Sequence, residues 1–511
     1  MMKMKKTVSI VISVVVLFSC LTISSPAKGA ENTSIWSAQA IVSPEQNKLI
    51  GAGYIDIKWN NSLKDVKQYK VYIDNVLKKT LSPGSAVMSY EFYTTGVKGY
   101  NARIVAELKD GTVVKSDIRR FYVTKKGICV NDKDMGLAMD PASMNIGWYY
   151  NWGYKSFKDT KFKNDKFDNT EFVAMLWGDN VIDIASRCNY ANKKGYKYML
   201  AYNEPDLQWE ANKQPDTMRL RWDEMIYNKG NLRLGSPATE TFQINSDKWW
   251  TPFWSGLNTT QKNNMSFIAV HAYQHYYDNA DTALQYLHAI DEIYAKYKKP
   301  IWVTEFAVAD SGNKFSPNNA KHNAQVQEFM KIVLKGLNER SYVERYSWFD
   351  FNPIDEQTGA SGIFHYDTGK LTTLGQIYAN IGNPAGYGSK TYNVSHTTSK
   401  NTALWACTAA VPTTLYSVTA KRKSFRYSIK SVKRASGYQI QYSLNKKFSK
   451  KKKYKTKTKT ILAAKSNVKN GMIKKLTKKK TYYVRVRAYK VINGKKYYCK
   501  WSGRRKVKIR K

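Results

Sequence analysis

Between about residues 130 and 390, short apolar runs alternate with amphipathic stretches. In order the runs are GLAM (136–139), NIGWYY (145–150), FVAMLW (172–177), YMLAYN (198–203), LRLGSP (232–237), SFIAVHAY (266–273), PIWVTEF (300–306) and RYSWFDF (345–351). They are short and almost continuously apolar, as strands buried on both faces must be. Helical spacing fills intervals such as DTALQYLHAIDEIYAKYKK (281–299) and NAKHNAQVQEFMKIVLKGLNER (319–340). Eight strands alternating with helices over about 250 residues predict a parallel (β/α)8 barrel, an α/β fold of the TIM type. The first two runs lie too close for a full helix between them, so the barrel is expected to be irregular at strands 1–2.

The flanks carry a different period. Over residues 46–126, YIDIKW, QYKVYID and YNARIVAEL alternate apolar and polar positions, the mark of half-buried strands. Tyr100, Ala102, Ile104, Ala106 and Leu108 share one face, and KDG (109–111) reads as a hairpin turn. Residues 412–511 repeat the theme: Tyr482, Val484, Val486 and Ala488 face one way, Arg485 and Arg487 the other, and Asn493-Gly494 is a hairpin turn. Both flanks are expected to be small β-sandwiches. The second, with Leu476 before TYYVRVRAY and Trp501 after the turn, resembles a fibronectin type III module, and the first does so less specifically.

At 511 residues the chain exceeds one core, and three domains are expected. Residues 1–30 read as an export signal: MMKMKK is its basic start, VSIVISVVVLF its apolar middle and AKGA its cleavage region. LFSC (17–20) only faintly resembles a lipoprotein site. No later run is long and apolar enough to span a membrane, so the expected location is outside the cell, with the wall as a candidate anchorage. Cys129, Cys188, Cys407 and Cys499 have no metal-ligand spacing. Cys129 and Cys407 flank the barrel and could pair, but isolated thiols are the simpler expectation.

Charge is uneven. Of 83 Lys and Arg residues, 35 lie between Val411 and Lys511, where there is no Asp or Glu. Charge of this kind speaks of partners rather than fold. For an exported chain it points to anionic cell-wall polymers and away from nucleic acid. KKKKYKTKTKT (450–460) reads as a solvated basic edge, which discourages strand-to-strand association.

The apolar run YMLAYN stops on Glu204, in NEP (203–205), and PIWVTEF contains Glu305. These are the fourth and seventh strands, and a barrel's chemistry lies at the C-terminal strand ends. Two carboxylates facing one cleft are the equipment of glycoside hydrolysis. Either acid alone is as readily a turn residue or an ion-pair partner; the pair at these strands carries the inference. Trp148, Trp177, Tyr273 and Trp348, near strand ends, could form a sugar platform, since apolar sugar faces stack on aromatic rings. His271 and Tyr273 alternate in phase and could both face the cleft, with Tyr273 in reach of Glu305. HAYQH places its histidines at helical spacing on a strand, so no metal and no cofactor are expected.

The motifs MGLAM, EFVAMLWG, YMLAYNEPD, GSPAT, IAVHAYQ, PIWVTEFAV and RYSWFDF, in this order, resemble glycoside hydrolase family 128, endo-β-1,3-glucanases of the retaining (β/α)8 clan. The resemblance covers the central half of the chain. It implies that Glu204 is the acid/base, Glu305 the nucleophile and Asn203 a hydrogen-bond partner of the sugar 2-hydroxyl, with β-glucan as substrate. Other expectations are a clan relative cutting β-1,4-glucan, xylan or mannan, and a surface protein that only binds sugar.

Overall fold

The structure, a computed structural model, describes residues 28–510 apart from 132–137, 161–163, 179–182, 241, 243, 245–247, 278–279, 310–314, 388–412, 431, 433–434, 450–451, 463–469 and 493–494. The expected export signal therefore lies almost wholly outside the described residues, as do Cys407 and the Asn493-Gly494 turn. No described helix is long and apolar enough to cross a membrane. Among the described residues the chain divides into two compact units, one gathering Met1–Glu45, Asp56–Tyr90 and Asn101–Arg119, the other Gln46–Ile55, Glu91–Tyr100 and Arg120–Lys511.

In the first unit, Val66–Ile73 pairs antiparallel with Val76–Leu81 and with residues 102–108. Ala102, Ile104 and Ala106 are buried, as their alternation requires. The KDG turn forms: Gly111 sits at φ +87°, a conformation open to glycine, and its N–H donates to Leu108 O.

The second unit contains eight parallel barrel strands: β1 (Lys126–Cys129), β2 (Trp148–Tyr150), β3 (Glu171–Phe172 and Ala174–Met175), β4 (Tyr198–Leu200), β5 (Arg233–Gly235), β6 (Met265–His271), β7 (Ile301–Phe306) and β8 (Val343–Phe349). Each pairs in parallel with its neighbours, and β1 joins β8. The ring passes through β3 in halves: the first bonds β2 and the second bonds β4, with Val173 between them. The barrel helices are α1 (Pro141–Met144), α2 (Ile184–Lys193), α3 (Pro215–Asn228), α4 (Trp250–Gly256), α5 (Thr259–Asn263), α6 (Ala280–Tyr297), α7 (Ala320–Glu339) and α8 (Thr373–Asn380).

Two buried layers explain why the strands read as continuous apolar runs. Tyr198 on β4 lies 4.9 Å from Trp302 on β7, centroid to centroid, and Trp302 lies 5.3 Å from Trp148 on β2. These strands are not adjacent, so the rings meet across the barrel interior. Met199, Val303, Tyr346 and Trp348 face the other way, into the outer core under the helices, where Met199 meets Cys188 of α2 and Trp348 meets Phe329 of α7. Inside the barrel, the fully buried Arg345 pairs with Glu171 at 2.8 Å and lies over the rings of Tyr198 and Trp302.

One expectation fails here. The first strand is Lys126–Cys129, not GLAM (136–139): Ala138 and Met139 are not in a strand, and residues 136 and 137 lie outside the described residues. KGIC was concealed by its lysine and glycine and by Lys125 just before it, which look like linker. Gly127 is required because an added Cβ would meet the Trp148 ring at 2.2 Å. The lysines are buried for a different reason. Lys125 Nζ donates to Leu337, Asn338 and Arg340 carbonyls at 2.7–3.2 Å, where α7 ends. Lys126 Nζ donates to Tyr378, Ala379 and Ile381 carbonyls and to Asn383 Oδ1 at 2.6–3.2 Å, where α8 ends. A cation at a helix C-terminus meets orphan carbonyls and the negative end of the dipole. Burial pulls Lys125 down to about 7 and Lys126 well below the ordinary lysine range.

The C-terminal strands form a three-stranded sheet and a five-stranded sheet around Phe425, Tyr427, Ile440, Tyr482, Val484, Val486 and Ala488. Arg485 and Arg487 lie on the opposite face, each within 4.5 Å of the Trp501 ring. Lys457–Leu462 is an edge strand, and Lys457 and Lys459 are exposed.

Lys126→Met keeps the stem's length and removes the ammonium donor to the Tyr378 and Ile381 carbonyls, while Ala379 O keeps Asn145 and Asn383. Stranding buried carbonyls costs about 1–3 kcal/mol each where water cannot reach them. The barrel's Tm should fall by at least about 5 °C. An unchanged Tm would show that the carbonyls find other partners.

Candidate active site

β4 ends three residues before Asn203, yet its neighbours still hold the chain there. Asn203 N–H donates to Trp177 O beyond β3 (2.9 Å), and Glu204 N–H donates to Ala238 O beyond β5 (2.7 Å). Glu204 sits at φ +38°, a strained backbone for a residue with a side chain. The turn ends the strand and places the carboxylate at the barrel's C-terminal end.

Glu305 reaches the same place by another device. Val270 pairs with Val303 but His271 with Glu305, while Val303 pairs with Tyr346 but Phe306 with Trp348. On both sides, then, β7 carries one residue more than its neighbour, a β-bulge. Trp302 faces the interior and Val303 the helices, so strict alternation would send Glu305 outward. The bulge turns it in, where Oε1 accepts from Tyr150 of the non-adjacent strand β2 at 3.0 Å.

Glu305 is enclosed by donors. Oε1 also accepts from Trp152 Nε1 at 2.9 Å, and Oε2 accepts from Tyr273 at 2.7 Å. Burial, then the Glu305 charge, pushes the Tyr150 and Tyr273 phenols well above the ordinary tyrosine range, so both remain donors. His271, the last residue of β6, lies between the two acids: Nδ1 is 2.8 Å from Glu204 Oε1 and Nε2 is 3.4 Å from Glu305 Oε1. Burial lowers the imidazole, but Glu305 and Glu204 outweigh it and raise the ring to about 9. At neutral pH an imidazolium therefore bridges two carboxylates and offsets their repulsion.

One oxygen of each glutamate and a His271 nitrogen all lie within 4.8 Å of one another. Two carboxylates and an imidazole could in principle ligate a cation. A charged ring donates from both nitrogens and offers no lone pair, so this arrangement suits proton chemistry better. Asn203 is buried, with Nδ2 donating to Glu210 (2.9 Å) and Oδ1 without a partner among the described residues. Burial raises the Glu210 carboxyl, Asn203 opposes this, and Glu204 adds to it. Burial also raises Asp206, which accepts from Glu240 N–H.

The structure thus brings Glu204, Glu305, His271 and Tyr273 together, with Asn203 beside them and Trp177 half-buried at the end of β3. It does not bring Trp148 or Trp348 to the cleft. Trp148 opens β2 at the opposite end of the barrel, fully buried, with Nε1 bonded to Lys125 O. Trp348 is fully buried against Phe306 and Phe329, with Nε1 bonded to Ser361 O. Neither can form a sugar platform. Tyr150, Trp152 and Glu210 were missed; the signal was the aromatic run WYYNWGY, whose second tyrosine and second tryptophan bear on Glu305.

This fold and paired-acid site define a class. Residues 127–378 match the family described as the glycosyl hydrolase catalytic core, and the chain is a glycoside hydrolase. More particularly, the solved structures it resembles are glycoside hydrolase family 128 enzymes. One is a subgroup I endo-β-1,3-glucanase from Amycolatopsis mediterranei in complex with laminarihexaose (27% identity, 50% of this chain, 98% of that chain, TM-score 0.41). Another is a subgroup III curdlan-specific exo-β-1,3-glucanase from Blastomyces gilchristii (25% identity, 50% and 98%, TM-score 0.38). A curated relative, alkali-sensitive linkage protein 1 of Schizosaccharomyces pombe, is 27% identical over 262 residues; these are 50% of this chain and 44% of the relative, so less than half of its length is spanned.

The His271 shift has a signed consequence. Its folded value of about 9 exceeds the free value of 6.5, so between the two the folded chain binds more protons than the unfolded one. The contribution is complete below about pH 6.5 and is lost as pH rises through about 9. Thermal melts of wild type and His271→Gln from pH 6 to 10 should show a stability gap that narrows across that window. A gap independent of pH would mean the ring is not charged when folded.

Proposed function

We propose that the chain is a retaining endo-β-1,3-glucanase. The observation that carries this reading is the Glu204–Glu305 pair: a carboxylate oxygen of each lies within 4.8 Å of the other at the C-terminal end of the barrel. Retaining enzymes separate their carboxyl groups by about 5–5.5 Å, inverting ones by about 6.5–9.5 Å. Glu305 attacks the anomeric carbon while Glu204 gives a proton to the departing glycosidic oxygen. Glu204 then takes a proton from water, which displaces Glu305 and releases the sugar with its β-configuration. His271 holds both carboxylates in register. Asn203 Oδ1, without a partner among the described residues, suits a donated sugar hydroxyl, and Trp177, half-buried just beyond β3, offers an aromatic face. β-1,3-Glucan as the substrate follows from the motif resemblance to family 128.

Export and retention at an anionic wall through the basic C-terminal module complete the proposal. They are supported by the basic-then-apolar start of the chain and by the acid-free stretch from Val411 to Lys511.

Glu204→Gln should lose about 10²–10⁴-fold on laminarin, as for loss of a general acid, and less on an aryl glycoside with a good leaving group. Glu305→Gln should fail on both. Proton NMR of the first product should show the β-anomer; an α-anomer would make Glu305 a base for water. Laminarin, xylan and mannan assayed side by side decide the substrate.

Removing residues 412–511 should leave soluble laminarin hydrolysis intact and abolish binding to anionic walls. That binding should weaken with salt, since the Debye length is only about 8 Å near 0.15 M. Equal wall binding by the truncated protein would make the module a spacer.

A further inference from the structure

We infer that Trp152 is a positioning residue that commits Oε2 of Glu305 to the attack on the sugar; this rests on the retaining reading above. Trp152 lies two residues past β2 at φ +57°, a strained conformation for a bulky residue that calls for a reason. The loop is built to impose it. Asn151 Oδ1 accepts from Gly153 N–H at 3.1 Å, Asn151 Nδ2 donates to Lys155 O at 2.9 Å, and Gly153 O accepts from Met175 N–H at the end of β3. The indole packs edge-on against Tyr150 and Phe349. So held, its N–H meets Glu305 Oε1 at 2.9 Å.

The two oxygens of Glu305 are then unequal. A carboxylate oxygen has about two lone-pair sites. Those of Oε1 are filled by Tyr150 and Trp152, and His271 approaches it as well. Among the described residues Oε2 accepts only from Tyr273, which leaves one lone pair open. That pair forms the bond to the anomeric carbon. The bond from carbon to the departing oxygen breaks, its electron pair stays on that oxygen, and Glu204 supplies the proton. Trp152 acts through Glu305 by fixing the carboxylate plane, so that the open pair points at the sugar rather than into the barrel wall.

Trp152→Phe keeps a ring against Tyr150 and Phe349 and removes the donor. In the full chain on laminarin, kcat should fall about 10–10²-fold, the scale of a misaimed reactive group, with KM changed by no more than about threefold. A tryptophan that merely fills space would leave kcat unchanged in Trp152→Phe, and that result overturns the inference. Wild type and Glu305→Gln run alongside separate the two levels. Wild type inactive on every β-glucan fells the retaining reading and this inference with it; wild type active with Trp152→Phe equal to it fells only the inference. A crystal structure of wild type trapped with a 2-deoxy-2-fluoro laminaribiosyl fluoride gives a measure free of the variant's folding. The sugar should be on Oε2, with Trp152 Nε1 still bonded to Oε1. A sugar on Oε1 overturns the proposal.

Discussion

One extra residue in β7 decides whether this barrel has an active site. Without the bulge, Glu305 would share the face of Ile301 and Val303 and press a carboxylate into the apolar layer against α7, where an unpaired charge is costly. With it, the same carboxylate meets Tyr150, Trp152, Tyr273 and the His271 ring. Strands β2 and β6 supply those groups from their own last residues or just beyond, so the bulge works only because both end where they do. Glu204 arrives by strain in its own φ rather than by a bulge. Two unrelated backbone irregularities converge on one pair of acids.

Much of this was legible in the chain because burial on both faces writes itself as continuous apolar runs. Seven of the eight expected runs contain barrel strands, and α6 and α7 start and stop within two residues of their periodic stretches. The phase of β6 placed His271 correctly, since Phe267, Ala269 and His271 alternate inward without interruption. The failures have physical causes. β1 was hidden because Lys125 and Lys126 read as solvated charge, whereas both are wrapped by helix-end carbonyls supplied more than 200 residues later. Trp148 faces inward at the wrong end of its strand, and Trp348 follows Tyr346 to the outside; a short run does not reveal which end opens the cleft. The bulge leaves no mark in composition, so Glu305 was singled out by its motif rather than by its phase.

The charge distribution separates two kinds of cation. Arg345, Lys125 and Lys126 are buried, each met by a carboxylate or by carbonyls, and belong to the barrel's construction. The lysines of the Lys457–Leu462 edge lie in water with no acid in their own module. Only the second kind is available to a partner. Net charge alone, which counts both alike, therefore overstates how much of this protein is a polyelectrolyte.

The split strand β3 gives the barrel a seam. β3 bonds β2 with its first two residues and β4 with its last two; β6 also meets β5 and β7 over different residues, but as one unbroken strand. The ring is thus a single ribbon whose two edges meet at Val173. A ribbon closed by a lap joint can part there without breaking any other ladder, and breathing of the closed sheet should begin at this joint. The joint also lies next to the cleft: Met175 holds the Trp152 loop through Gly153, and two residues on, Trp177 holds Asn203. The split strand of the barrel is therefore the one on which two walls of the cleft are hung, which gives the cleft a natural direction in which to yield to a long chain.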